Sequence, residues 1–180
     1  MNWLVNTGLV YKITRTLEPK IPLSRNEERE TFKLFLLDTG LLCAKTNVDM
    51  AAFYTANPGI FSDFNGALSE QFVCQELTAA MESPLYYWGR DKGMAEVDFL
   101  LQHKNEVIPV EVKSAYNKRS LSLNVYLDLV KPKTAVRTSM RNYGAASFDS
   151  GGGNSGRLYS IPLYMIGSLT DIVKGTIIQP

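Results

Sequence analysis

EVIPVEVKS, Glu106 to Ser114, is the stretch on which the reading of this chain turns. Just upstream lies EVDFLLQ, Glu96 to Gln102. Both runs are rich in β-branched and aromatic residues, the composition of strands. Side chains alternate across a strand, so Glu111 and Lys113 share one face, about 7 Å apart at Cα. Ile108, Val110 and Val112 then line the other face as core. By the same alternation Glu96 and Asp98 share a face, with Val97 and Phe99 opposite. Acids and a lysine on neighbouring strands suit metal-assisted phosphodiester cleavage. Carboxylate oxygens hold Mg²⁺ or Mn²⁺, and the lysine stabilises a scissile phosphate or positions the attacking water.

The remaining composition narrows the alternatives. A chain of 180 residues with a formal net charge of +1 can bury a real core but carries no global basic field. Any contact with DNA must come from a local patch or a partner. There is no run of about 18 apolar residues, so no membrane span is expected. The N-terminal MNWLVNTGLVYK lacks a charged leader before an apolar stretch, which points to the cytoplasm. Cys43 and Cys74 sit in apolar contexts and read as small buried residues rather than a disulfide or metal pair. His103, beside Lys104 and Asn105, reads as a turn residue. Too few thiols and imidazoles remain for a structural zinc site. Carboxylate chemistry is what is left.

Working outward, Trp3 to Asn6 looks like a helix tail stopped by Gly8, and Leu9 to Leu17 alternates as a half-exposed strand. Pro19 and Pro22 break it, Arg25 to Glu30 reads as a charged connector, and Phe32 to Leu37 returns as a second strand. A short helical segment comes next, from Asp38 through Ala44, and another from Asp49 to Thr55, ended by Asn57-Pro58-Gly59. The hairpin has no evident core of its own. Then come a helix over Gly66–Met81, a strand over Leu85–Trp88, a polar turn at 89–93 and the two acid-bearing strands. A helix over Ser120–Val130, a strand over Thr134–Thr138, a flexible loop over Ser147–Gly156, a strand over Leu158–Leu163 and a closing helix near Ile166–Val173 complete the chain. The order α-β-β-β-α-β predicts an α/β sandwich around a mixed sheet.

Glu70 joins the acids. At about 100° per residue it aligns with Val73, Leu77 and Met81, and a carboxylate on an apolar stripe needs a compensating partner. Leu68, Phe72 and Ala79 form a rival stripe, which leaves the inward face open. Glu111 and Lys113 also have a plain reading as an ion pair at a strand edge, and Glu96 as a solvated strand-start residue. Arg90 and Lys92 are turn charges placed where they could hold a phosphate. Gly151 to Gly156 is flexible linker. The chain contains no Gly-x-x-x-x-Gly-Lys-Ser/Thr run, so it is expected to bind no nucleotide through such a loop.

With Glu70, Asp98, Glu111 and Lys113 on α-β-β-β, the region resembles the PD-(D/E)XK nuclease superfamily, the restriction-endonuclease-like fold. WLVNTGLVYKI, FKLFLLDTGLL, GALSEQFV, YYWGRDKGMAEVDFLL and IPVEVKSAYNKRSL resemble more closely the C-terminal region of prokaryotic AAA-type ATPases, known as domain of unknown function 4143. The resemblance runs from about Trp3 to about Met140. It implies a winged-helix remnant with its wing hairpin over residues 1–45, a helical linker over 46–65, and a nuclease-like domain over 66–180. It also implies a piece separated from an N-terminal ATPase domain, whether naturally or by truncation, with DNA as a partner and a homodimer as one way to cover the severed hairpin. Carried over residue by residue, Glu70, Asp98 and Glu111 would be metal ligands and Lys113 the catalytic lysine. Val97 stands where the superfamily motif has proline. The implied activity is that of a Mg²⁺- or Mn²⁺-dependent endonuclease or exonuclease, or else of a catalytically silent DNA- or protein-binding module with the same fold.

Overall fold

In the computed structural model, which describes residues 2–47, 62–81, 83–91, 93–114, 120–149 and 155–174, a single mixed sheet of eight strands runs through the chain. The short helix α1 (Asn2–Asn6) ends at Gly8, whose φ of 73° is the left-handed turn that glycine adopts without strain. Strand β1 (Val10–Thr16) pairs antiparallel with β2 (Glu27–Leu36). Helix α2 (Thr39–Thr46) is capped by Asp38, whose carboxylate accepts the Leu41 N–H at 2.7 Å. The long helix α3 (Ser62–Ala80) is followed by β3 (Tyr86–Gly89), β4 (Glu96–His103) and β5 (Glu106–Val112). Then come α4 (Leu121–Val130), β6 (Thr134–Ser139), β7 (Gly144–Asp149) and β8 (Ser155–Pro162). A 3-10 turn (Leu163–Ser168) leads into α5 (Leu169–Val173).

The strand order is β2-β1-β3-β4-β5-β6-β8-β7. Helices cover both faces, and each face has its own core. On one side Val73, Cys74 and Leu77 of α3 meet Phe99, Leu101, Ile108, Val110 and Val112, with Ile166, Leu169 and Ile172 from the C-terminal turns. On the other, Leu123, Tyr126 and Leu127 of α4 pack against Tyr86, Trp88, Val97, Leu100 and Val107. Each such aliphatic side chain contributes about 1.5–3 kcal/mol when fully buried. The element order α3-β3-β4-β5-α4-β6 is the expected α-β-β-β-α-β, in a mixed α/β architecture. Among the described residues no helix is long and apolar enough to cross a membrane.

Several sequence expectations change. The hairpin, which lacks an evident core of its own and was expected to pack against the second region or to dimerise, joins the central sheet directly, because β1 lies parallel to β3. Residues 27–30, expected as connector, belong to β2, and the β1–β2 register shifts between Thr14 and Arg15 so that residues 29–31 bulge out of the ladder. Charge alone misleads there, since Glu27 and Glu28 find partners: the Glu27 carboxylate accepts from Thr14 Oγ1 at 3.3 Å and Glu28 from Arg15 at 2.6 Å. The loop expected over 147–156 is shorter, because β7 takes residues 144–149. Gly156 faces Phe148 across the β7–β8 pair, where any Cβ would collide with the ring. His103 is the last residue of β4 rather than part of the turn, which Lys104 makes with φ 53°. The helix expected at 49–55 lies outside the described residues.

Candidate functional site

Two devices build the acid-bearing end of the sheet. The first is a β-bulge. Tyr86 pairs with Leu100 but Trp88 pairs with Val97, so Asp98 and Phe99 together oppose Tyr87 alone. An extra residue breaks the two-residue period and re-aims the side chains beyond it. Val97 therefore joins the α4 core and Phe99 the α3 core, not one shared face as simple alternation predicts. Asp98 sits in this bulge, beyond the last β4–β5 pair on that side, Phe99 with Val110. Its Oδ2 accepts the Val112 N–H at 2.7 Å, so the side chain continues a ladder that the displaced backbone has left.

The second device is α3. Its buried positions are Gln71, Val73, Cys74 and Leu77, while Phe72 is only partly buried and Ala79 exposed. The stripe through Val73 and Leu77 is thus the inward one, and Glu70 stands at its end with about a third of its side chain exposed. Gln71 fastens this helix to β2: its Nε2 donates to the Leu36 carbonyl at 2.7 Å and its Oε1 accepts the Leu36 N–H at 2.9 Å. Gln75 Oε1 accepts the Thr39 N–H at 3.1 Å.

Glu111 is almost wholly buried, and Lys113 Nζ donates to its Oε1 at 2.5 Å. The pair is therefore a buried one, not a strand-edge pair in solvent. Glu111 Oε2 is buried and has no hydrogen-bond partner. Burial pushes the Glu111 carboxyl up; Lys113 opposes this and Glu70 adds to it. Asp98 is pushed up to about 7, first by burial, then by Glu111 and Glu70, against the pull of Lys33 and the Val112 N–H. These mutual influences tie Glu70, Asp98 and Glu111 into one electrostatic unit.

Lys33 is the member that sequence reading missed. From β2, its Nζ stands 2.5 Å from Glu96 Oε1, 3.6 Å from Glu70 Oε2 and 3.9 Å from Asp98 Oδ1, and 5.1 Å from the centre of the Tyr87 ring. Burial alone would lower its pKa, but the attraction of Glu70, Asp98 and Glu96 outweighs this and holds it protonated above its usual range. Glu96, which the sequence offered either as a fourth acid near the site or as a solvated strand-start residue, is thus the closest partner of an ammonium. Alternation along β2 showed only that Lys33 faces away from Phe32 and Leu34; which acids it meets depends on a contact 37 residues or more down the chain.

Four carboxylates and two ammoniums leave this cluster with a net deficit of positive charge. Its donors are hard oxygens, one of them buried and unpartnered, which suits a small divalent cation in kind. Among the described residues, however, no three acids stand close enough to close around an ion. The ammonium of Lys33 lies among those that would.

Elsewhere, Arg90 is exposed in the β3–β4 turn, whose Asp91 accepts from Arg15 at 3.3 Å; Lys92 lies outside the described residues. Cys43 and Cys74 are free and buried, and burial pushes the Cys74 thiol up to about 12, far from a reactive thiolate. A cleft of about 370 Å³ between α2 and α3 is lined by Thr39, Gly40, Cys43, Leu68, Ser69, Phe72 and Leu163. It contains no carboxylate or amine, so it is not where acid chemistry would occur.

Comparison with known proteins covers both halves. Residues 65–152 match a family described as Domain of unknown function (DUF4143), and residues 1–52 match one described as Domain of unknown function (DUF8612). The first match takes in Glu70, Glu96, Asp98, Glu111 and Lys113; the second takes in Lys33. The chain is 30% identical over 102 residues to the uncharacterized protein Mb2031c of Mycobacterium bovis and to the same extent to the uncharacterized protein Rv2008c of Mycobacterium tuberculosis. The matched stretch is 56% of this chain and 22% of each relative, so what it shares with them is about a fifth of a longer polypeptide.

Proposed function

We propose that the chain is a restriction-endonuclease-like module that cleaves DNA phosphodiesters with Mg²⁺ or Mn²⁺, working beside an AAA-type ATPase domain in the cytoplasm. One observation carries the reading. A bulge carries Asp98, the middle of α3 presents Glu70, and Glu111, one residue before the end of β5, keeps one carboxylate oxygen buried and unpartnered, all within one electrostatic unit. Burying that much negative charge is costly for a purely structural role. The α-β-β-β-α-β order and the segments that resemble the PD-(D/E)XK superfamily support the same reading.

In this proposal Glu70, Asp98 and Glu111 would draw together from where they stand to hold the ion, which would supply positive charge at the phosphoryl oxygens. The chain's own residues do the rest. The Val112 N–H fixes the Asp98 carboxylate, and the hydrogen bond from Lys113 fixes Glu111. Lys113, the first residue after β5 and about a fifth exposed, can offer its remaining N–H groups to a phosphate oxygen or to the attacking water. Arg90, exposed in the β3–β4 turn, would touch backbone phosphates in this proposal. The exposed apolar side chains of Trp3, Leu4, Leu9, Leu37 and Leu41 support a contact with an ATPase domain or a second copy of the chain.

A second reading has its own observation. Lys33 already compensates Glu70, Glu96 and Asp98, as a catalytically silent binding or regulatory module with internally paired acids would need. One assay separates the two. Linear, nicked and single-stranded DNA are incubated with Mg²⁺ or Mn²⁺ and either wild type or Asp98→Ala. The nuclease reading expects wild-type cleavage to fall by orders of magnitude in the variant. Equal products from both, or none from either, would leave the silent module.

A further inference from the structure

A cavity of about 640 Å³ opens beside the β4–β5 turn, at the end of the sheet away from the acids. His103 in its wall lies five residues beyond Asp98 on β4, about 17 Å along a strand. Four lysines line it against one acid, Glu106. Lys20 comes from the β1–β2 connection, Lys104 from the β4–β5 turn, Lys133 from just before β6 and Lys174 from just after α5. In a chain with a formal net charge of +1 this is a local concentration of positive charge. Lys20 and Lys174 have exposed partners, Glu18 at 2.9 Å and Asp171 at 3.9 Å, and such pairs hold weakly. Among the described residues Lys104 and Lys133 pair with no carboxylate.

The chemistry of the wall changes with depth. His103 and Glu106 oppose each other in the β4–β5 ladder, and His103 Nε2 and Glu106 Oε1 are both buried without a hydrogen-bond partner. Buried polar atoms are rarely left so, and here two of them stand on facing residues of one cavity. Ile21, Val107, Val130 and Val173 give the same cavity its apolar wall.

We infer that this cavity binds a small organic phosphate, with the phosphate among the lysine ammoniums and an N–H- or O–H-bearing end over Glu106 and His103. A nucleotide and a sugar phosphate share that chemistry. Ammonium groups make strong, charge-assisted hydrogen bonds to phosphate oxygens. Glu106 repels an anion set against it, so the phosphate stays with the lysines and Oε1 accepts from the other end of the ligand. The backbone of DNA carries acceptors and no such donors, so it does not answer Glu106. The volume falls within the roughly 300–1,000 Å³ of small-molecule sites. Binding here stands apart from the nuclease reading and involves none of its acids.

The test is calorimetric titration of ADP and of ribose 5-phosphate into the full chain without divalent metal. Wild type is compared with Lys104→Asn, Lys133→Ala, Glu106→Leu, Glu106→Gln and Lys45→Ala. Asparagine is used at 104 because the residue there has a φ of 53°, which asparagine tolerates. Lys45 is exposed on α2 and does not line the cavity, so its loss controls for charge alone. Melting curves without ligand check that each variant is folded. At least one ligand should bind wild type one to one. Each cavity-lysine variant should weaken that binding roughly tenfold, and Lys45→Ala should leave it unchanged. Glu106→Leu should weaken it too, whereas Glu106→Gln, which keeps an acceptor oxygen, should not. Tighter binding of ADP assigns a nucleotide, and tighter binding of ribose 5-phosphate a sugar phosphate. No binding of either ligand, equal losses in Lys45→Ala and the cavity-lysine variants, or full affinity in a folded Glu106→Leu overturns the inference. Should Glu106→Leu fail to fold, the lysine variants decide alone.

Discussion

Two β-hairpins deliver the two lysines of this cluster, by opposite routes. Lys113 leaves the β4–β5 hairpin just past the end of β5, two residues after Glu111, and its partner is set by local geometry. Lys33 comes from the β1–β2 hairpin and meets Glu70, Glu96 and Asp98 only because β1 docks beside β3 and Gln71 holds β2 to α3. The inner pair is nearly dry on the glutamate side, whereas the outer ammonium lies over a carboxylate, Glu96, that is more than two-fifths exposed. The contrast teaches that a buried charge can be compensated by its neighbour in sequence or by the fold, and that the two should fail differently.

The largest expected effect lies in the inner pair. Lys113→Met strips the Glu111 carboxylate of its hydrogen bond while the group remains buried, with the other oxygen already unpartnered. Breaking a buried pair from one side costs about 3–5 kcal/mol. Urea unfolding of the metal-free chain should register it, and a loss below about 1 kcal/mol would mean that water reaches Glu111 freely. Lys33→Met should cost less in the same experiment, since Glu96 and Glu70 can turn to solvent.

Asp98 supplies the next test. Its folded pKa of about 7 lies above the ordinary carboxylate value, so the folded chain holds the proton more tightly than the unfolded one. Its favourable contribution is complete below about pH 4 and is lost as pH rises through about 7. Without divalent metal, Asp98→Asn should therefore gain stability relative to wild type across that window, by no more than about 4 kcal/mol. Parallel pH–stability curves for the two proteins would show that Asp98 is not perturbed. A smaller effect is expected where the hairpin is fastened. Gln71→Leu removes both partners of the Leu36 peptide group and should cost roughly 2–3 kcal/mol. Hydrogen exchange should then quicken in β1 and β2 before β4 and β5; uniform protection across the sheet would show that strand pairing alone holds the hairpin.

Gln71 and Asp98 also mark where sequence reading stops. The helix over residues 66–81 and the strands around Asp98 and Glu111 were legible, because hydrophobic period and propensity are local, whereas the choice between the two stripes of the helix, and with it the inward placing of Glu70, was not. The bulge at Asp98 was not: EVDFLLQ alternates well as a straight strand, and only the pairing of Val97 with Trp88 and Leu100 with Tyr86 reveals the extra residue. Strand β7 was hidden because Ala145, Ala146 and Ser147 carry no strand signature and depend on the β8 ladder for their conformation.

By itself, then, the sequence determined the element order from α3 to β6, the apolar face of β5 and the short-range company of Glu111 and Lys113, all consequences of the geometry of single helices and strands. The tertiary structure alone decided that the N-terminal hairpin completes the central sheet, and that a lysine in it becomes the counter-ion of three acids. The physical reason is range. Periodicity acts over a few residues, whereas the ammonium of Lys33 answers to charges 37 or more positions away, which only the docking of β1 on β3 and the grip of Gln71 bring within 4 Å.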